Sequence, residues 1–280
     1  MTPFTEAVLT WGEAQLRDLP WRRTRDPWAV LVSEVMLHQT QVQRVIPKYL
    51  AFIDTFPTAA ACAGAPLADV LRLWHGLGYP RRARNLHLSA QRVTELGDFP
   101  RTLQGLLALP GVGRYTARAL LAFAFEADAA VVDTNIARVY ARVHGRTLTL
   151  PAVQALADAA LPPGESWLWN QSIMDLGAVL CRPTQPSCTT CPAAPVCAWR
   201  GRGADPAIGS AGVSVTQARF DGSDRQARGR LMSALQSGPV SVDALAAVMQ
   251  RDPQVAARLT ADLARDGLAV VDGATVRLPD

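Results

Sequence analysis

Lysine is almost absent from this chain: of 28 Lys and Arg side chains only Lys48 is lysine, and the rest are arginine. Chemistry that needs a side-chain amine to form a Schiff base therefore has a single candidate residue. Long hydrophobic runs are missing as well. No stretch approaches the roughly 20 apolar residues that span a bilayer. The N-terminal MTPFTEAVLTWGEAQLRDLP reads as an amphipathic helix carrying both charge signs rather than as a signal peptide, so a cytoplasmic location is expected. Strand signals are scarce: no convincing polar–apolar alternation occurs before residue 210, which makes the main body all-α. No long repeat is evident, which excludes a solenoid. Charged residues make up only 19% and hydrophobic residues 49%, enough to bury a core and to exclude wholesale disorder. A length of 280 residues suits two compact domains with room for a small third. The net charge of +4 and pI near 9.0 fit a polyanionic partner, although charge informs only where it clusters.

What is present is concentrated in one tract. Cys181, Cys188, Cys191 and Cys197 lie in CRPTQPSCTTCPAAPVC, a C-x6-C-x2-C-x5-C spacing. Four thiolates this close can surround a [4Fe–4S] cluster, each iron of which takes one protein sulfur. Pro183, Pro186, Pro192 and Pro195 suit a wrapping loop rather than a continuing helix. A structural zinc site is the alternative, but zinc sites more often use two C-x2-C pairs and one is present here. Two disulfides are a third reading, disfavoured because nothing else points to an oxidising compartment. Cys62, in TAAACAGAP, is expected to be a small packed residue.

Along the chain, helices are expected over residues 2 to about 17, from Trp28 to about Gln41, and through VIPKYLAFIDTF, LADVLRLWHGL, RRARNLHLSAQRVTEL and TLQGLLAL. Further helices follow from Asp133, through VQALADAALP, and through WLWNQSIMDLGAVL into the cysteines. A Gly/Arg/Ala stretch after Cys197, poor in large apolar residues, is expected to be a mobile linker. Beyond it, RQARGRLMSALQS, a Ser241-capped helix and DPQVAARLTADLARDG precede LAVVDGATVRL, two β-prone runs around an Asp272-Gly273 turn. Three helices and a hairpin suggest a small winged-helix-like α+β module.

Three polar features carry chemistry. Pro110-Gly111-Val112-Gly113, between two apolar helices, can present backbone N–H groups to a phosphate, aided by the positive end of the next helix; an ordinary interhelical turn is the plain alternative. Glu34 has apolar Val30, Leu31 and Leu37 on its own helix face, surroundings that favour the acid form of a carboxyl and hence proton donation. Asp133, ahead of TNIARV, can cap a helix; the N–H bonds it accepts there keep it ionised, as a group stabilising a sugar cation must be. Each has a bland reading, a partly solvated glutamate or a structural cap, and only their combination discriminates.

In combination, the hairpin, the helix-start aspartate and the downstream cysteines resemble the endonuclease III-like helix-hairpin-helix DNA glycosylases. Within them the match is to the adenine-excising branch. It spans residues 19 to about 198 through LPWR, DPW, SEVMLHQTQV, IPKYL, LWHGLGYPRRARNLH, LPGVGRYTA, VVDTNIARV and WNQSIMDLGAVLC. The resemblance implies a two-lobed all-α fold clasping DNA: a six-helix barrel over residues 22–130 and an iron–sulfur lobe from residues 1–21 and 131–203. A linker over 204–222 and the winged-helix-like module at 223–280 complete the chain. It also implies that Glu34 protonates the adenine at N7 and that Asp133 stabilises the sugar cation or a covalent intermediate, with Tyr115 and Asn135 completing the site. Arg17, Trp21, Leu37 and Gln171 match positions lining the pocket of the flipped base. Gln39 matches the residue that wedges into the duplex, and Gly111, Val112, Gly113 and Arg114 match the phosphate-gripping hairpin.

The implied partner is double-stranded DNA carrying adenine opposite 8-oxoguanine or guanine, bound by a monomer, with a [4Fe–4S] cluster held by the four cysteines. Arg182, Arg200 and Arg202 are expected phosphate contacts. Tyr115 stands where the strand-cleaving branch carries lysine, so a monofunctional glycosylase is implied. Two departures matter: Pro80 replaces a second aromatic usual in the family, and residues 223–280 are too short for the usual Nudix-like reader of 8-oxoguanine. A mismatch thymine or uracil glycosylase of the same superfamily, and a cluster-containing winged-helix regulator, are the competing readings.

Overall fold

A computed structural model describes residues 1–213 and 219–280; residues 214–218, within the expected linker, lie outside the described residues. The helices, in chain order, are α1 (Pro3–Gln15), α2 (Pro27–Leu37), α3 (Val42–Thr55), α4 (Ala59–Ala63), α5 (Leu67–Trp74), α6 (Arg81–Leu96) and α7 (Leu103–Leu107). They continue as α8 (Arg114–Phe123), α9 (Thr134–Val143), α10 (Leu150–Ala160), α11 (Ser166–Asp175), α12 (Asp224–Ala234), α13 (Leu245–Met249) and α14 (Pro253–Arg265). Three short strands, β1 (Val240–Ser241), β2 (Val270–Asp272) and β3 (Thr275–Arg277), form the sheet. Hydroxyl and carboxylate caps start many helices by accepting an otherwise unpartnered N–H: Thr2 for α1, Thr58 for α4, Thr102 for α7, Asp133 for α9, Thr149 for α10, Ser223 for α12 and Asp252 for α14. Among the described residues no helix is long and apolar enough to cross a membrane.

The chain divides into two compact units, the division falling inside α2. The first holds Met1–Leu31, Arg101–Ala108 and, of the described residues, 112–213. Its core joins Val8 and Leu9 of α1, Ile136, Val139 and Tyr140 of α9, Val153 of α10, and Trp169 and Ile173 of α11. Phe4 meets Tyr140 and Trp169 edge-on at 6.1 and 5.8 Å between centroids. Gly12 lets α1 and α11 touch: a Cβ there would lie 1.8 Å from Ser172 Oγ. After α11 a single π-helical turn, Leu176–Leu180, leads to Cys181. Residues 205–213, within the stretch read as linker, pack onto this unit: Ala207 is in its core, Ser210 Oγ accepts the Leu148 N–H at 3.1 Å, and Val213 lies against the same cluster.

The second unit holds Val32–Pro100, Leu109–Gly111 and, of the described residues, 219–280. Phe52 of α3 meets Phe56 and Trp74 edge-on, and α4 and α5 pack against α6. Cys62 is fully buried on α4, as expected of a packing residue, and burial pushes its thiol up to about 12. In the C-terminal module α12, α13 and α14 pack on one another and the sheet, of order β1-β3-β2, is antiparallel throughout, the elements following one another in the order of a winged helix.

Local differences from the expected elements have identifiable causes. α2 ends at Leu37 rather than near Gln41, because Gln39 takes a left-handed conformation (φ 56°) that no α-helix can continue through. The Ala59–Ala63 helix is absent from the sequence reading, five residues being too short for a periodic signal. Ser241, expected as a helix cap, ends strand β1 and leads into a 3-10 turn, because Val240 and Ser241 pair with Val276 and Thr275.

The α1–α11 crossing yields a direct expectation. Gly12→Ala should cost about 2 kcal/mol through overpacking, and Ser172→Gly in the same protein should recover most of it. Denaturant titrations of the two variants and their combination measure this; equal stability of wild type and Gly12→Ala would contradict the close approach.

Candidate functional site

Asp133 is the N-cap of α9. Its Oδ1 accepts the Ile136 N–H at 2.7 Å and its Oδ2 accepts Asn135 Nδ2 at 2.9 Å, so the two residues expected in one site are in direct contact. The side chain is half-buried. Burial raises the Asp133 pKa above its ordinary 3.8, outweighing the opposite pull of the Ile136 and Asn135 hydrogen bonds and the Arg138 charge. Desolvation acts against the cap here and is the larger effect on the pKa.

Asn135 Oδ1 in turn accepts from Arg138 at 2.8 Å. Arg138 is 2% exposed, and its guanidinium also donates to the carbonyls of Gly177 at 2.7 Å, Thr134 at 3.3 Å and Cys181 at 2.7 Å. Gly177 makes this possible, since a Cβ there would lie 2.7 Å from Asn135 Cβ. One turn on, Arg142 is 1% exposed and donates to the Cys181 carbonyl at 3.1 Å, to Cys181 Sγ at 3.3 Å and to the Arg182 carbonyl at 2.7 Å. It makes a two-pronged pair with Asp205 at 3.1 and 2.6 Å and stacks on Trp199.

Cys181, Cys188, Cys191 and Cys197 line a single, partly open pocket, and none is disulfide-bonded. Among the described residues no three His, Cys, Asp or Glu side chains converge on one ion. Zinc requires four donors about 2.3 Å from a single point, whereas a cubane spreads its ligands over separate irons. Four thiols around one pocket are compatible with a group that takes a separate protein sulfur for each metal. Burial pushes Cys191 up to about 11, with the neighbouring sulfurs of Cys181, Cys197 and Cys188 adding to it, an electrostatic situation that an inorganic cation reverses. Gly201, at φ 75°, packs close to Cys188: a Cβ there would lie 3.2 Å from its Sγ. Arg200, expected to contact phosphate, folds its guanidinium back onto the carbonyls of Cys197 and Pro195.

Of the residues expected to line a base pocket, Arg17, Trp21 and Gln171 belong to the first unit and Leu37 to the second. Trp21 and Gln171 are buried; Arg17 is partly exposed. Arg17 is tied to Asp175 through its backbone N–H at 2.9 Å, its Nε at 2.9 Å and a terminal nitrogen at 2.5 Å. Arg22 grips the same carboxylate from the other side at 2.7 and 2.8 Å and also donates to the Arg17 carbonyl at 2.9 Å. Burial works to raise the Asp175 pKa, but the hydrogen bonds from Arg22 and Arg17 prevail and lower it. Sequence reading passed over Asp175, Arg22, Arg138 and Arg142. The signal available was charge on an apolar helix face, at Arg138 and Arg142 four residues apart on α9.

Glu34 is 5% exposed on α2 in the second unit, whereas Asp133, Asn135 and Tyr115 are in the first. Val30 and Leu31, one turn before Glu34, are also buried. Gln39 is exposed at the head of a left-handed turn. Arg82 of α6 donates to the carbonyls of Val35, Met36 and His38, to those of Leu77 and Gly78, and to Thr40 Oγ1. One guanidinium thus pins the Gln39 turn to the turn bearing Tyr79, itself at φ 48°. In the hairpin, Gly111 has φ 77° and sits where a Cβ would meet Asn85 at 2.7 Å. Gly113 is extended (φ −92°, ψ 179°) and caps α8, so only the first glycine needs the left-handed region. Val112 is buried, while Arg114 is exposed.

Residues 32–159 match the family described as HhH-GPD superfamily base excision DNA repair protein. An adenine DNA glycosylase of Mycolicibacterium smegmatis is 42% identical over 270 residues, covering 93% of this chain and 90% of that one. One from Mycobacterium tuberculosis is 41% identical over 84% of this chain and 79% of its own length. The human adenine DNA glycosylase is 42% identical over 72% of this chain, which spans 40% of the human protein. Among solved structures, a thermostable thymine-DNA glycosylase superposes with TM-score 0.65 at 30% identity, over 71% of this chain and 95% of its own. A trapped endonuclease III–DNA covalent intermediate superposes with TM-score 0.62 at 23% identity, over 72% and 98%, which establishes the shared fold.

The Asp175 ion triad predicts a pH-dependent stability. Because its folded pKa lies below the ordinary 3.8, its contribution is fully present above that value and is lost as pH falls through the lower folded value. Asp175→Asn should destabilise by about 3 kcal/mol at neutral pH, with the gap to wild type closing below about pH 4. Denaturant melts of both proteins across that range test it; a gap that persists undiminished in acid contradicts the assignment.

Proposed function

The chain belongs to the adenine DNA glycosylase family, and we propose that it excises adenine mispaired with 8-oxoguanine or guanine from double-stranded DNA. It does so by hydrolysing the N-glycosidic bond and leaves an abasic site. The observation that carries this reading is identity of 42% spread over 93% of the chain, together with the Asp133–Asn135 pair at the head of α9.

On this reading the adenine leaves the stack, because its glycosidic bond is out of reach inside the duplex. Gln39 fills part of the gap, and Gly111, Val112, Gly113 and Arg114 grip a phosphate. Arg17, Trp21, Leu37 and Gln171 enclose the base, with Arg17 kept in one orientation by Asp175. Glu34, buried among apolar neighbours, hands a proton to N7, so that the departing purine leaves neutral. Asp133, in its ionised form, offsets the positive charge that develops on the sugar, and Asn135 holds the carboxylate in place. Tyr115 completes the site.

The four cysteines would hold a [4Fe–4S] cluster, whose contribution there is to cross-link the Cys181–Cys197 loop. Strand cleavage is not part of the reaction, because it needs an amine at the sugar. Tyr115 supplies none, and the Nζ of Lys48 donates to the Leu73 carbonyl at 3.3 Å in the second unit. The resemblance in structure to a thymine-DNA glycosylase, at 30% identity, makes removal of thymine or uracil opposite guanine the second reading.

Glu34→Gln and Asp133→Asn should each reduce excision roughly 100-fold or more while the visible cluster absorbance and melting temperature stay near wild type; excision close to wild type in either would overturn its role. Single-turnover rates on duplexes with adenine opposite 8-oxoguanine, guanine or cytosine, and with thymine opposite guanine, decide the substrate. We expect adenine opposite 8-oxoguanine to react fastest, and equal rates on all adenine duplexes would reject the preference. Borohydride treatment of product DNA with enzyme should give no efficient cross-link, and one that forms efficiently would contradict monofunctional chemistry.

A further inference from the structure

The C-terminal module is fastened to the segment that carries the left-handed Tyr79 turn. Arg225, the second residue of α12, donates to the Tyr79 hydroxyl at 3.1 Å and lies over the Phe220 ring, 5.6 Å from its centroid. Asp266, at the C-terminal end of α14, pairs with Arg81 in the first turn of α6. The next residue, Gly267, sits at φ 64° where a Cβ would lie 2.6 Å from Arg84 Nε. The carbonyl of Asp280 accepts the Leu67 N–H that opens α5, at 3.2 Å. Every one of these fastenings reaches residues 67–84, and three of them reach residues 79–84.

Arg225 is also oddly placed for its own helix. A cation in the first turn opposes the helix dipole, at a cost of about 0.3–1 kcal/mol, so helix stability does not account for it. Its partner Tyr79 is 38% exposed, adopts a backbone conformation rare for a bulky side chain, and shares the Arg82 clamp with the Gln39 turn. Arg82 also lies over the Tyr79 ring, 5.4 Å from its centroid. The Gln39 and Tyr79 turns are therefore one assembly, and the module braces it from outside through the Tyr79 hydroxyl.

We propose that Arg225 is a positioning residue: through Tyr79 the winged-helix-like module sets how the Gln39 and Tyr79 turns meet the duplex, and so how readily the adenine is extruded. This rests on the adenine-excising function above. The module's part is mechanical support of the DNA-opening turns. A free tyrosine hydroxyl on a left-handed turn has two soft backbone angles and two side-chain angles to lose on binding; anchoring it beforehand removes part of that entropic cost.

The test uses the full-length protein with its cluster, as wild type, Arg225→Ala, Arg225→Lys, Tyr79→Phe and the Ala/Phe double variant. Two readouts are taken: single-turnover adenine release opposite 8-oxoguanine, and the fluorescence rise of 2-aminopurine beside the adenine, which reports unstacking. Arg225→Ala and Tyr79→Phe should each lower both readouts about fivefold, the scale of one hydrogen bond. The double variant should be no worse than the worse single one, and Arg225→Lys should recover most of the signal. Wild-type behaviour of Arg225→Ala, or a double variant whose loss is the product of the two single losses, would overturn the brace. A wild-type protein that releases no adenine from any duplex would overturn the function and this inference with it. A wild type that does release it, matched by Arg225→Ala, overturns the brace alone.

Discussion

Two guanidinium groups buried in the first unit carry the organisation of everything around them. Arg138 and Arg142 stand one turn apart on α9, and both donate to the carbonyl of Cys181. From that shared acceptor Arg138 reaches back through Asn135 to Asp133, and Arg142 reaches forward through the Arg182 carbonyl and Asp205 around the cysteine loop. A buried cation is costly unless its donors are satisfied, and here the loop carbonyls are the satisfaction. The loop therefore cannot leave α9 without stranding charge, and α9 cannot shift without moving the carboxylate at its head.

The same economy of polar groups recurs around Asp175 in the first unit. Asp175 has no solvent exposure, yet it is flanked by Arg17 and Arg22, one partly exposed and one buried. Its lowered pKa and the raised pKa of Asp133 come from the same desolvation countered by different partners: two guanidinium groups bonded directly to it in one case, and backbone N–H groups, an amide and the more distant Arg138 charge in the other. Neutral donors offset less of the cost of burying charge than cationic ones do. A carboxylate at the centre of an ion triad is thereby locked in its charged form as a structural anchor. Asp133, hydrogen-bonded to neutral donors at a half-buried helix start, has its pKa raised instead.

In the second unit the organising group is Arg82. Its hydrogen bonds run to five backbone carbonyls and a hydroxyl from two separate turns, and its pKa falls to about 10 because burial disfavours its charge. Left-handed backbone at non-glycine residues such as Gln39 and Tyr79 costs free energy and persists only where surroundings over-determine it. The clamp supplies that over-determination, and the C-terminal module adds to it.

Much of this was legible in the residues alone. Helix positions followed from capping residues and apolar spacing, and α6 runs from Arg81 to Leu96 as its periodicity indicates, because such signals are local and nearest neighbours decide them. The cysteine spacing and the Asp133 cap were readable for the same reason. The arrest of α2 at Leu37 was not, since it depends on carbonyls being drawn to Arg82 more than forty residues away. Nor was the strand β1, whose two residues pair only because β3 lies alongside, nor the attachment of residues 205–213 through Asp205 and Ala207. The direction of the Asp133 shift also escaped the sequence, because capping is local whereas desolvation is set by everything folded around the carboxyl. By itself, then, the sequence determined which side chains are available for chemistry, where the helices start, and that Lys48 is the single side-chain amine. Tertiary structure alone decided which buried charges meet, since ion pairs such as Asp175 with Arg17 join residues 158 positions apart and leave no trace in local spacing.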